Sequence, residues 1–165
     1  MKLTERRAQS GLSLIEVMIA VLLLAVFFAS IFELNAVCLR YIDASKESAA
    51  ALQIVHDRVE VLRNVAFGDL TDTDYVEDLL SNPANESEFA KSRATEVVTL
   101  SAYPAANGVT QLTRGSNGAV TVNSTAAELG ATLVRVTVTS SWKTTFGGRT
   151  RSEQTTTIVS NGTKK

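Results

Sequence analysis

One apolar run, LSLIEVMIAVLLLAVFFASIF from Leu12 to Phe32, constrains this chain more than any other feature. Its 21 residues include a single charged side chain, Glu16. Coiled as a helix rising ~1.5 Å per residue, the run spans about 30 Å, the thickness of a bilayer's hydrocarbon core. The segment before it, MKLTERRAQSG, sets Lys2, Arg6 and Arg7 against Glu5. Basic residues ahead of such a run stay on the cytoplasmic side, so the rest of the chain is expected to face outward.

Three accounts of this N-terminus compete. A cleaved secretory signal has an apolar core of about 7–15 residues ending at small residues. Here the run is longer, and the downstream candidate Leu34-Asn35-Ala36 fits poorly. A lipoprotein site at Cys38 is also weak, because Val37 stands where a small residue is needed. A plain signal anchor explains length and orientation but not Glu16. A carboxylate at the centre of an apolar span costs roughly 2.5–3.5 kcal/mol and needs a partner. Cleavage between Gly11 and Leu12 creates one, a new α-amino group one helical turn from Glu16. Between neighbouring subunits, amine and carboxylate then neutralise each other in an apolar setting, which drives assembly and sets axial register.

These residues carry a family resemblance. Gly11-Leu12-Ser13-Leu14-Ile15-Glu16-Val17, after a short basic leader and before an apolar helix, resembles the processing site of type IV prepilins and type II secretion pseudopilins. The family pattern is a glycine, an apolar residue, a hydroxyl residue, two aliphatics and a glutamate. Leu12 departs mildly, since Phe or Met is commoner there. The resemblance implies cleavage after Gly11 by prepilin peptidase and N-methylation of the Leu12 amine by the same enzyme. It implies that Glu16 serves methylation and docking into the filament. The partners it implies are other pilin or pseudopilin subunits and an inner-membrane assembly platform, with membrane lipid around the helix before assembly. The location follows: bacterial inner membrane, single pass, C-terminal domain periplasmic, then pilus or pseudopilus.

No Pro or Gly interrupts the chain from Leu12 to Phe67, and the first breaker is Gly68. Leu52, Val55, Val59, Leu62 and Ala66 recur at helical spacing as one stripe. Glu47, Gln53, Asp57, Arg58, Glu60, Arg63 and Asn64 fall largely off it. The pattern predicts one long helix, membrane-spanning over 12–32 and amphipathic over 33–67, with its stripe against a soluble sheet. His56-Asp57 is no catalytic pair, because adjacent helical residues point apart and no serine motif accompanies them.

Residues 68–94 read as a variable αβ loop, with helical turns expected at Tyr75–Ser81 and Glu86–Ser92. Its acidic residues Asp69, Asp72, Asp74, Glu77 and Asp78 match no EF-hand spacing and read as a solvated loop. From 95 to 160 the chain is β-prone. Strands are expected at Glu96–Ala102, Ala119–Asn123, Thr132–Trp142 and Arg149–Ser160, with turns at Asn107-Gly108, Asn117-Gly118 and Gly147-Gly148. Val134, Val136, Val138, Ser140 and Trp142 share one face, and Trp142 is expected in the core. Residues 161–165 form a polar tail.

The expected architecture is α+β and pilin-like: a long N-terminal helix packed on a three- or four-stranded antiparallel sheet. The closing Val/Thr strand, Gly hairpin and Thr-rich strand resemble minor pilins and minor pseudopilins. The single cysteine excludes the C-terminal disulfide loop of many major pilins. Net charge of −1 offers no basis for nucleic-acid binding. One Cys and one His leave little for zinc or Cys–His chemistry, so no cofactor, metal or catalytic residue is expected. The function expected is that of a non-enzymatic filament subunit. The alternative is a signal-anchored periplasmic binding module with an uncleaved transmembrane helix.

Overall fold

The computed structural model describes residues 13–130 and 132–162. Helix α1 runs from Leu14 to Asn64, as the breaker-free stretch predicts. The chain divides after Tyr41 into two compact units.

The first unit holds the N-terminal part of α1. Every described side chain of it is exposed except Val37, which is half-buried. Leu14 is 83% and Phe32 70% exposed, so the described residues of this unit leave its apolar surface uncovered. The helix is long and apolar enough over this stretch to cross a bilayer.

The second unit contains the rest of α1, three short helices and a sheet. The helices are α2 (Phe67–Thr71), α3 (Thr73–Ser81) and α4 (Glu88–Ser92). The strands are β1 (Thr95–Ala102), β2 (Val109–Arg114), β3 (Val120–Ser124), β4 (Leu133–Lys143) and β5 (Thr150–Ser160). They form one antiparallel sheet in the order β3-β2-β1-β4-β5. The long helix therefore packs on a five-stranded sheet, one strand more than the largest number expected. The additional strand is β2, inside the Gly/Asn-rich stretch. Its inward residues are Thr110, Leu112 and Arg114, and only one of the three is aliphatic. Asn117-Gly118 makes the β2–β3 turn, with Gly118 at φ +82, a conformation that favours glycine.

The core is built from one face of α1, α2 and α3 against one face of the sheet. Val55, Val59 and Leu62 meet Leu70, Val76 and Leu80 from the short helices. Val98, Leu100, Leu112, Val134, Val136 and Val138 complete it from the strands. Alternation along β4 places Val134, Val136, Val138, Ser140 and Trp142 inward, as expected.

Two features of the stripe are corrected. Leu52 is 50% exposed, whereas Ala51 and Ile54 are buried. Glu47 and Arg58 lie on the buried face rather than off it. A stripe traced through apolar residues alone misses polar side chains that find partners inside, and Arg58 has Glu96. The helix also ends at Asn64 rather than Phe67. Ala66 is extended, at φ −62 and ψ 144, and α2 begins after it. This break brings Leu70 into the core and Phe67 against it.

Candidate functional site

Of the residues singled out at the N-terminus, Gly11 and Leu12 lie outside the described residues. Glu16 is described, and it stands in the first turn of α1. Ser13 precedes the helix and caps it. Its Oγ accepts a hydrogen bond from the Glu16 N–H at 3.3 Å. Its carbonyl accepts from the N–H groups of Glu16 at 3.0 Å and Val17 at 3.2 Å. Ser13-Leu14-Ile15-Glu16 therefore has the S-x-x-E spacing of a capping box, a signal the family pattern had absorbed as a hydroxyl position.

Local physics favours Glu16 here twice. The positive end of the helix dipole stabilises an anion in the first turn, and a glutamate three residues after the cap suits helix initiation. Its carboxylate nevertheless remains exposed, without an ion pair or hydrogen bond among the described residues. An unneutralised carboxylate at the head of a membrane-length apolar helix can take a cation from outside the chain.

Further along α1 the polar chemistry is structural. Glu47, buried, closes a cluster linking α1 to the β4–β5 hairpin and to α4. Its Oε1 accepts from Arg93 at 2.8 Å, from the Thr145 backbone N–H at 3.1 Å and from the Thr145 hydroxyl. Its Oε2 accepts from the Trp142 indole N–H at 3.2 Å. Burial pushes the Glu47 carboxyl up, but the bonds from Thr145, Arg93 and Trp142 together outweigh it and hold the group below its ordinary value. Phe89 packs edge-on to Trp142, with ring centroids 5.7 Å apart, and Arg93 lies over the Phe89 ring. The indole is thus enclosed as a core residue.

Arg58 is the second buried hub. Its guanidinium pairs with Glu96 on β1 through two nitrogens. It also donates to the carbonyls of Leu79 at 3.1 Å and Asn82 at 2.7 Å, which satisfies the C-terminal end of α3. Glu96 has Arg114 beside it on β2 and Ser140 beside it on β4. These residues form an inward polar row.

The remaining candidates do not converge. Cys38 is exposed on α1. His56 is exposed, and the neighbouring Asp57 carboxylate accepts from Asn85 at 2.8 Å. Asp72 is used as the N-cap of α3, accepting from the Asp74 N–H at 3.0 Å. Among the described residues, no group of three His, Cys, Asp or Glu side chains is placed to hold a metal ion.

The described residues form an α+β protein with pilin-like architecture, and its N-terminal helix is long and apolar enough to cross a membrane. Residues 6–32 match the family model described as the prokaryotic N-terminal methylation motif. The chain therefore carries the type IV prepilin and pseudopilin signature, which implies processing by prepilin peptidase and assembly with other pilins. No curated protein and no solved structure gives a significant match to the chain.

Proposed function

We propose that this chain is a non-enzymatic structural subunit of a type IV pilus or a type II secretion pseudopilus. Prepilin peptidase cuts between Gly11 and Leu12 and methylates the Leu12 amine. The subunit waits in the inner membrane as a single-pass protein with residues 42–162 in the periplasm. An assembly platform then extracts it, and the apolar part of α1 packs among neighbouring helices. The observation that carries this reading is the methylation motif on a helix whose apolar side chains are exposed among the described residues of their unit. Glu16 supports it, as an exposed carboxylate one turn from the amine that cleavage would create.

Mass spectrometry of the protein extracted from membranes tests it. The expected N-terminus is Leu12, heavier by one methyl group. An intact Met1 would replace this reading with that of a signal-anchored periplasmic module. Substituting Gly11 should block processing. Glu16→Ala should be cleaved normally but recovered poorly in filaments, and normal incorporation would remove Glu16 from the assembly role.

A further inference from the structure

Between Val17 and Ile42, α1 carries only two charged side chains, Glu33 and Arg40. Both are exposed, and neither makes an ion pair or hydrogen bond among the described residues. Glu33 follows directly on the apolar run. The residues that flank it at helical spacing, Ala29, Ser30, Ala36 and Val37, carry no charge. Arg40 has Asp43 three residues on, and the two form no ion pair. Seven residues separate Glu33 from Arg40, so they lie within about 20° of one helix face. They are about 10.5 Å apart along the axis, two turns, and are not neighbours within the helix.

We infer that Glu33 of one copy pairs with Arg40 of a second copy of this chain, and that this pair sets their stagger. The inference rests on the filament reading above and specifies its register. Copies inserted in one membrane with the same orientation pack parallel. Without a stagger, Glu33 would face Glu33 and Arg40 would face Arg40, two like-charge contacts. A shift of one heptad, about 10.5 Å, sets Glu33 level with Arg40 of its neighbour. Each copy then offers Glu33 to one neighbour and Arg40 to another. That interface is heterologous and does not close on itself, which is what an open filament requires. The pair is separate from Glu16, so it adds a second fixed point of axial register to the one set by the Leu12 amine and Glu16.

Cysteine cross-linking in cells that assemble the full chain tests the stagger. On a Cys38→Ser background, Ala29→Cys and Ala36→Cys are combined and the membranes are oxidised with copper phenanthroline. These two positions sit one turn before Glu33 and Arg40 and repeat their seven-residue offset. Two cysteines about 10.5 Å apart on one helix cannot bridge within a chain, so any disulfide joins two copies. The double variant should form dimer at least ~tenfold better than either single variant. Adding Glu33→Arg or Arg40→Glu should lower that yield ~tenfold, and adding both should restore it, because like-charge contacts become complementary again. Equal dimer from Ala29→Cys alone would show an unstaggered contact and overturn the proposal. Failure of the double reversal to restore the dimer would overturn it as well. The N-terminal mass, read on every variant, separates the two levels. A methylated Leu12 without rescue refutes the register alone, and an intact Met1 in the parent chain refutes the filament reading beneath it.

Discussion

Glu16 and Glu47 are both carboxylates on α1, and opposite surroundings give them opposite uses. Glu16 is capped into place by Ser13 and left exposed, open to a partner. Glu47 is buried and meets donors from three side chains and one backbone amide. A carboxyl held below its ordinary value of 4.5 stabilises the fold above that pH. The contribution is lost as pH falls from about 4.5 through the lower folded value, because protonation of the folded state then breaks the cluster. Denaturant titrations of the detergent-solubilised chain should therefore show stability falling on acidification below about 4.5. Glu47→Gln should flatten that dependence. At neutral pH it should cost about 1–3 kcal/mol, because an amide cannot accept from all four donors. Trp142 fluorescence reports the same event, since its indole N–H loses its acceptor.

At the scale of elements, Arg58 ties α1, α3 and β1 together. Arg58→Met leaves Glu96 buried without its cation and should destabilise by about 3–5 kcal/mol. The double variant Arg58→Met/Glu96→Leu should recover much of that loss, measured as a shift in the denaturation midpoint. No recovery would mean that capping of α3, and not charge pairing, is the main contribution of Arg58. The redrawn stripe makes a second test. Leu62→Ala should cost about 2–5 kcal/mol, as for a fully buried leucine. Leu52→Ala, at a half-exposed position, should stay within about 0.5 kcal/mol. Strand β2 went unread for a related reason. Its inward face includes Thr110 and Arg114, so the apolar alternation that marks β4 is missing there.

At the scale of the whole molecule, the described core lies entirely in the second unit. The first buried residue along the described chain is Glu47. A truncation starting at Ile42 should therefore fold as a soluble domain with the cooperative unfolding of the full chain, measured by circular dichroism. Loss of cooperativity would show that the apolar segment contributes to the core. The N-terminal methylation motif was legible in the sequence, because leader, Gly11, Glu16 and the apolar run are contiguous, and residues 6–32 match its family model. The long helix was legible too, since 56 residues without Pro or Gly, from Leu12 to Phe67, leave few alternatives. Which polar residues of α1 are buried, where the helix breaks before α2, and how Glu96 comes to lie between Arg58, Arg114 and Ser140 were decided by tertiary structure alone. Glu47 meets Thr145, and Arg58 meets Glu96, across long stretches of chain. No local pattern records such partners, and a buried charge is stable only once the fold has delivered them.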